Sequence, residues 1–501
     1  MADVNRRSFM RMATATSLVV TGTAVPVFAA PEGSNSEQPG QPAIGGGKSD
    51  EPAATDKGVT RILAEYVVNA RYEDLPASVC KEGVRTMLNW VGVAVGGSRH
   101  PAVNNALSAL SPFSSPPQAG ILGRRERLDI MNAAFINGIS SHIFDFDDTY
   151  LKTIIHPAGP VASAILALSE YRPVSGRDFL NALVLGVETE FRMGNAVCPD
   201  LSNRGWHTTG VVGVFGGAAA SGKILGLTEQ QMVWAFGLAA SQPVGLQESL
   251  GSMNKSFNPG RAAHNGLTAA LLASKNFTSS DQMIESKAGW ANTISTKQDY
   301  REITEGLGKR YEAVLNTYKP FACGVVMHPA IDAAIQVRNE YQLTPDQIDH
   351  IDLRVNPRVL AATGKKTPQD GLEGKFSIYH AVAVAIVEGA GGEKQFSDRA
   401  VRDPVVVALS AKVNPVVDAS VKLDQVDLII KLKDGRSPHK FIQHAIGSVA
   451  APMSDSALEA KFIDLADGIL LSAQIRRLLD TCWNVEKLPD AAAIAKAAVV
   501  S

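Results

Sequence analysis

From Val59 to about Val314 the sequence keeps returning to one pattern: apolar residues at helical spacing, in stretches rich in alanine, leucine and glycine. RILAEYVVNA opens the series, and Leu75-Pro76 marks a break. Thr228-x-x-Gln231 is a capping box ahead of MVWAFGLAAS, and VASAILALSE and HNGLTAALLASK have the composition of buried helices. The small residues of GVVGVFGGAAASGKILG predict close helix–helix contact. Gly222-Lys223-Ile224 lacks the Ser or Thr that ends a phosphate loop, so nucleotide binding is not expected there.

Near Leu315 the pattern changes. Thr344-Pro345-Asp346-Gln347 caps a short helix, and HIDLRV then alternates as a strand does. VDLIIKLK and HKFIQH flank Asp434-Gly435, a hairpin signal with a loop longer than minimal, and YHAVAVAIVEG is a further helix. After about Ser454 the chain returns to amphipathic helix. The predicted fold is mainly α with an α+β second domain: helical over 59–314, α+β over 315–454, and helical again over 455–501.

The first residues read as an address. Arg6-Arg7 precedes a weakly apolar stretch from Met12 to Val25, and Val27-Phe28-Ala29 offers small residues for signal peptidase. This predicts a twin-arginine export signal over 1–29, a flexible leader over 30–58, and a periplasmic mature protein. Because the apolar stretch is weak, export should depend on the arginine pair. Changing Arg6 and Arg7 to Lys is expected to leave precursor in the cytoplasm on fractionation, and an unchanged periplasmic yield would refute the address.

Lys and Arg total 48 against 50 Asp and Glu, a net charge of −2, so charge offers no case for nucleic acid or an anionic membrane as partner. No apolar run is long enough for a stable span after signal cleavage. The four cysteines, Cys80, Cys198, Cys323 and Cys482, form no C-x-x-C pair, so zinc ribbons and the usual iron–sulfur runs are not expected.

Residues able to carry chemistry fall in four stretches. NGISSHIFDFDDT holds Asp145, Asp147 and Asp148, and His156-Pro157 follows at the start of VASAILALSE. The aspartates suit a hard cation by composition but lack the ligand spacing and glycine of an EF-hand loop, so no metal is expected. RGWHTTG places His207 ahead of a glycine-rich helix whose free amides favour an anion. Lys255 stands in NKSFNPGR, whose Pro and Gly read as a loop. Lys319 opens Lys-Pro-Phe-Ala-Cys-Gly, and Tyr379 lies in KFSIYH.

The ordered set, NG-x3-H-x2-DFDDT, His-Pro, G-W-H-x-T-G and Lys-Pro-Phe-x-Cys, resembles the MmgE/PrpD family from about Val59 to about Leu488. The resemblance implies a large helical domain with a smaller α+β domain, a homodimer, and an active site between the domains. It carries Asp145, Thr149, His156, His207, Lys255, Lys319 and Tyr379 into that site. It departs at Gly324, where the decarboxylase branch of the family has a histidine.

The family's substrates carry two or three carboxylates. Lys255, Lys319 and a protonated His207 would neutralise them, and the same cations would stabilise charge built by breaking a C–H bond beside a carboxylate. His156 is the expected base or acid, oriented by Asp145. Thr149 is expected to bind substrate, and Tyr379 to protonate a leaving hydroxyl or anchor a carboxylate. Gly324 offers no side chain for protonating carbon and leaves room for backbone amides to approach a substrate oxygen. These readings point to a cofactor-independent lyase on a citrate-like di- or tricarboxylate, of the 2-methylcitrate dehydratase type. An epimerase working by proton abstraction and an exported non-catalytic polycarboxylate-binding protein are the alternatives.

Overall fold

Among the described residues the two largest of four hydrophobic clusters mark the two parts of the protein, and the loop bearing the three aspartates packs on both through Tyr150 and Phe146. The computed structural model describes residues 58–500; the predicted export signal, and all of the leader but Gly58, lie outside the described residues. The main helices of the first part are α1 (Val59–Asn69), α2 (Ala77–Gly97), α3 (Ile130–His142), α4 (Ala158–Tyr171), α5 (Gly176–Val197), α6 (Thr208–Leu225), α7 (Glu229–Ala240) and α8 (Asn254–Ser274). Of these, α4, α5 and α6 are buried almost along their whole lengths; α4 and α6 lack a polar face, whereas α5 buries Glu188, Glu190 and Arg192. The capping box at Thr228 starts α7.

Glycine sets how closely these helices approach. A Cβ on Gly260 of α8 would lie 2.5 Å from the Phe135 carbonyl of α3, and one on Gly138 of α3 would lie 2.5 Å from Gly260 Cα. This crossing brings the carboxyl end of α3 to the amino end of α8. Lys223 caps α1 by donating to the carbonyls of Val68 and Ala70, a structural duty that leaves nothing of a phosphate loop.

Two short strands, β1 (Asp148–Thr149) and β2 (Thr317–Tyr318), pair antiparallel with Asp148 opposite Tyr318. The second core follows. It holds β3 (Ile348–Val355), β4 (Val413–Val417), β5 (Val426–Leu432) and β6 (His439–Ile442), with helices α9 (His328–Tyr341), α10 (Pro357–Thr363) and α11 (Ile378–Glu388). The sheet order is β4-β3-β5-β6, with β3 parallel to β4 and the other pairs antiparallel. In β3, Ile351, Leu353 and Val355 point inward, matching the alternation in the sequence. The strand β4 has no such alternation and contains Pro415, which an edge strand tolerates; sequence patterning does not find it.

Helices α12 (Asp455–Ala466) and α13 (Ser472–Trp483) return to the first core through Leu458, Phe462 and Leu478. Leu465 of α12 and Phe146 of the aspartate loop pack instead in the second core. No helix among the described residues is long and apolar enough to cross a membrane.

Candidate active site

A cavity of about 490 Å³ opens beside the aspartate loop, and Asp145, His156, His207, Lys255 and Lys319 all line it. Each arrives by a different route. Asp145 follows the end of α3 in a left-handed conformation, φ 49°, which a short polar side chain accepts more readily than most. His156 sits two residues before α4, with its amide donating to Thr209 Oγ1 at 3.0 Å. His207 is the N-cap of α6. The β1–β2 pairing carries Lys319 to the aspartate loop. Lys255 is the second residue of α8, which begins well before HNGLTAALLASK: Pro259 removes one backbone bond near the helix start without ending the helix. The loop read from Pro and Gly is therefore a helix, and Lys255 is buried.

Polar contacts join these groups into one chain. Lys319 Nζ donates to Asp145 Oδ1 at 2.5 Å and to the Asp145 carbonyl at 3.0 Å. Lys255 Nζ donates to the same Oδ1 at 2.9 Å and to His142 Nε2 at 2.8 Å. His142 Nδ1 donates in turn to Asp147 Oδ2 at 2.5 Å. With Nδ1 donating and Nε2 accepting, His142 is a neutral ring. Burial, then the Lys255 charge, holds its pKa well below the ordinary value.

The other two imidazoles carry opposite tautomers. His156 Nδ1 lies 3.0 Å from the Asp148 carbonyl, which only accepts, so the proton sits on Nδ1 and Nε2 keeps its lone pair. Thr149 Oγ1, 3.1 Å from the same Nδ1, helps fix that ring. His207 Nδ1 is 3.2 Å from the Asn258 amide nitrogen, a donor, so His207 carries its proton on Nε2. Burial lowers both pKa values well below 6.5, with Lys255 adding to the effect on His207.

Three expectations change. His207 is neutral and acts as a hydrogen-bond donor, because burial beside Lys255 disfavours a second cation. Asp145 does not orient His156: its carboxylate is held by the two lysines, which outweigh burial and lower its pKa, while the Asp148 carbonyl, Thr149 and Asp147 (3.4 Å from Nδ1) address the ring. Thr149 does not line the cavity, so its hydroxyl serves the histidine rather than substrate.

Tyr379 also stands apart. It is half-buried on α11, packed on the second core, and is absent from the cavity wall; the neighbouring Phe376 lines it. Gly324 does line the cavity, but its amide donates to the Lys375 carbonyl at 3.0 Å and is not available to a substrate oxygen.

His142 has no role in the sequence reading, although it stands within the NG-x3-H stretch, and Asp147 enters it only as one of the three clustered aspartates. Their signal was the short spacing across a helix end, which sets both beside Asp145. Arg358 on α10, exposed at the cavity wall, left no signal in its Pro-Arg context.

The ligand nitrogens of His142, His156 and His207 lie within 4.8 Å of one another, a histidine cluster that the sequence does not display. Both nitrogens of His142 are engaged, with Asp147 and with the Lys255 ammonium, so a cation there would displace a buried lysine. The aspartates divide likewise: Asp145 serves the lysines, Asp147 serves His142, and Asp148 accepts from Asn316 at 2.8 Å, with burial beside Asp147 raising it to about 7.

The lowered values carry a pH expectation. All three imidazoles should stay neutral at pH 6.5 and some way below, so His156 keeps its basic Nε2 there and loses it only at lower pH. Linkage has the same sign: unfolded imidazoles take protons below about pH 6.5 and these folded ones resist, so the three rings withdraw stability as pH falls. Imidazole nitrogen NMR shifts across pH 5–8 would report this; a half-titrated His156 at pH 6.5 would contradict it.

Two family models match this chain: the MmgE/PrpD N-terminal domain over residues 61–303 and the MmgE/PrpD C-terminal domain over residues 321–485. The chain is similar to a cis-aconitate decarboxylase of Aspergillus terreus, 27% identical across 88% of this chain and 96% of that protein. It is similar to a cis-aconitate decarboxylase of Homo sapiens at 27%, across 87% and 93%. A 2-methylcitrate dehydratase of Cupriavidus necator is 21% identical, across 76% of this chain and 82% of that protein.

Proposed function

The chain belongs to the MmgE/PrpD family, and we propose that it is a cofactor-independent lyase that eliminates water from a citrate-like di- or tricarboxylate. The observation that carries this reading is the His156 ring, which donates from Nδ1 to the Asp148 carbonyl and so offers an unprotonated Nε2 in a cavity lined by two lysines. That nitrogen takes the proton from carbon beside a substrate carboxylate. Lys319 and the Nε2–H of His207 stabilise the charge that builds on the carboxylate oxygens. Lys255, whose pKa burial lowers, protonates the departing hydroxyl, one of the two tasks expected of Tyr379 from sequence. Water leaves, and the proton on His156 returns to Lys255 through solvent.

Elimination fits this site better than decarboxylation, the reaction named for the two decarboxylase relatives. Loss of carbon dioxide leaves charge on carbon, which then needs an acid. Both imidazoles on the cavity wall are neutral and Gly324 brings no side chain, so that acid would have to be Lys255, and the basic Nε2 of His156 would have no proton to take.

The test is product analysis in deuterium oxide with 2-hydroxytricarboxylates and cis-aconitate. Water elimination or addition with deuterium entering beside a carboxylate is expected. Carbon dioxide as the main product from cis-aconitate would overturn the elimination reading; exchange without water loss would point to an epimerase.

A further inference from the structure

The geometry points to Lys461, on the carboxyl-terminal helix α12, as a positioning residue that sets the two charged arms of the site against each other. Lys461 is buried, and its ammonium makes three bonds to uncharged oxygens. It donates to the Phe146 carbonyl at 2.6 Å, the Lys319 carbonyl at 2.9 Å and Asn89 Oδ1 of α2 at 2.9 Å. It also lies 4.0 Å over the Phe146 ring.

The choice of partners is what gives the residue a role. Phe146 stands between Asp145 and Asp147, the acids that hold the lysines and His142. Lys319 is the residue whose side chain reaches back to Asp145. One ammonium thus ties together the backbones of both arms from outside the cavity, through a helix more than a hundred residues along the chain from either.

A lysine is an expensive brace. Burying an ammonium without a carboxylate on it costs more than an amide or hydroxyl would, and burial pushes the Lys461 pKa down to about 7, with Asp147 and Asp148 opposing that fall and Lys319 adding to it. An apolar side chain would fill the space at no such cost. What the ammonium adds is three directed bonds from one point, and an error of about 1 Å in a reacting group costs on the order of 100-fold in rate.

The inference rests on the site proposed above, and its test separates the two. Parent turnover of a 2-hydroxytricarboxylate is measured first; none with any such acid counts against the proposed reaction, not against Lys461. Lys461→Met, matched in length but without donors, is then compared. A fall of at least tenfold in kcat is expected, with KM changed less than threefold because Lys255 and Lys319 remain to meet the carboxylates. The nitrogen shifts of His142 should move as the aspartate loop relaxes, a readout that needs no substrate. Lys461→Gln, which keeps a shorter donor, should recover part of the rate, and it stands in if the Met variant does not fold. A folded variant with parental kcat and an unmoved His142, or one that loses only thermal stability, overturns the assignment.

Discussion

In a His156→Gln variant, kcat falls by about 10²–10⁴ while KM stays within about threefold of the parent. Glutamine fills much of the imidazole's space and keeps a donor for the Asp148 carbonyl, but it presents no basic nitrogen to the cavity. The lysines are untouched, so substrate still binds. Deuterium exchange beside the carboxylate should be lost together with turnover, because both begin with proton removal. Steady-state kinetics and exchange by NMR measure the two effects; parental kcat in this variant would remove His156 from the reaction.

The second large effect is expected from Asp145→Asn. Asparagine accepts the left-handed backbone found at this position, φ 49°, so the change removes charge with little strain. It leaves Lys255 and Lys319 buried with only Asp147, 3.8 Å from Lys319, as a nearby carboxylate. Breaking a buried ion pair from one side costs about 3–5 kcal/mol, and the cost here should lie near the lower figure because Lys255 is already inclined to shed its proton. The two freed ammonium groups then hold a polycarboxylate more tightly, so ligand should restore more stability to the variant than it adds to the parent. Denaturant titration with and without citrate measures both. A loss under 1 kcal/mol, or equal stabilisation by citrate in the two proteins, would show that Asp145 is not the counter-ion of the lysines.

The helices and the strand β3 were legible because burial writes itself into sequence: as a period of 3.6 in RILAEYVVNA, as an unbroken apolar run in VASAILALSE, and as a period of 2 in HIDLRV. Where a residue's surroundings override its local signal, the reading failed. Pro259 and Gly260 look like loop residues, yet Gly260 serves the contact with α3 and Pro259 falls early enough for the helix to continue. In β4, pairing with β3 rather than alternation makes the strand.

The site divides in the same way. Which residue types gather there was readable, since lysines, histidines and aspartates recur in short, ordered stretches, and five of the seven chosen positions line the cavity: Asp145, His156, His207, Lys255 and Lys319. Their roles were not readable. The tautomer of His156 depends on the Asp148 carbonyl, that of His207 on Asn258, and the charge state of both on burial. Tyr379 packs on the second core, and no residue of α11 reaches the cavity wall, a placement that no local signal records.

The sequence by itself determined the helical and α+β parts, the family, and most of the charged residues that gather at the cavity, because periodicity and residue type are local properties. Tertiary structure alone decided which lysine meets which aspartate, which imidazole keeps a free Nε2 lone pair, and that a lysine of the final helices bonds to the backbone between Asp145 and Asp147. The lysine contacts of about 3 Å join residues more than a hundred positions apart, and the ring contacts of His156 and His207, though closer in sequence, depend equally on how the elements pack.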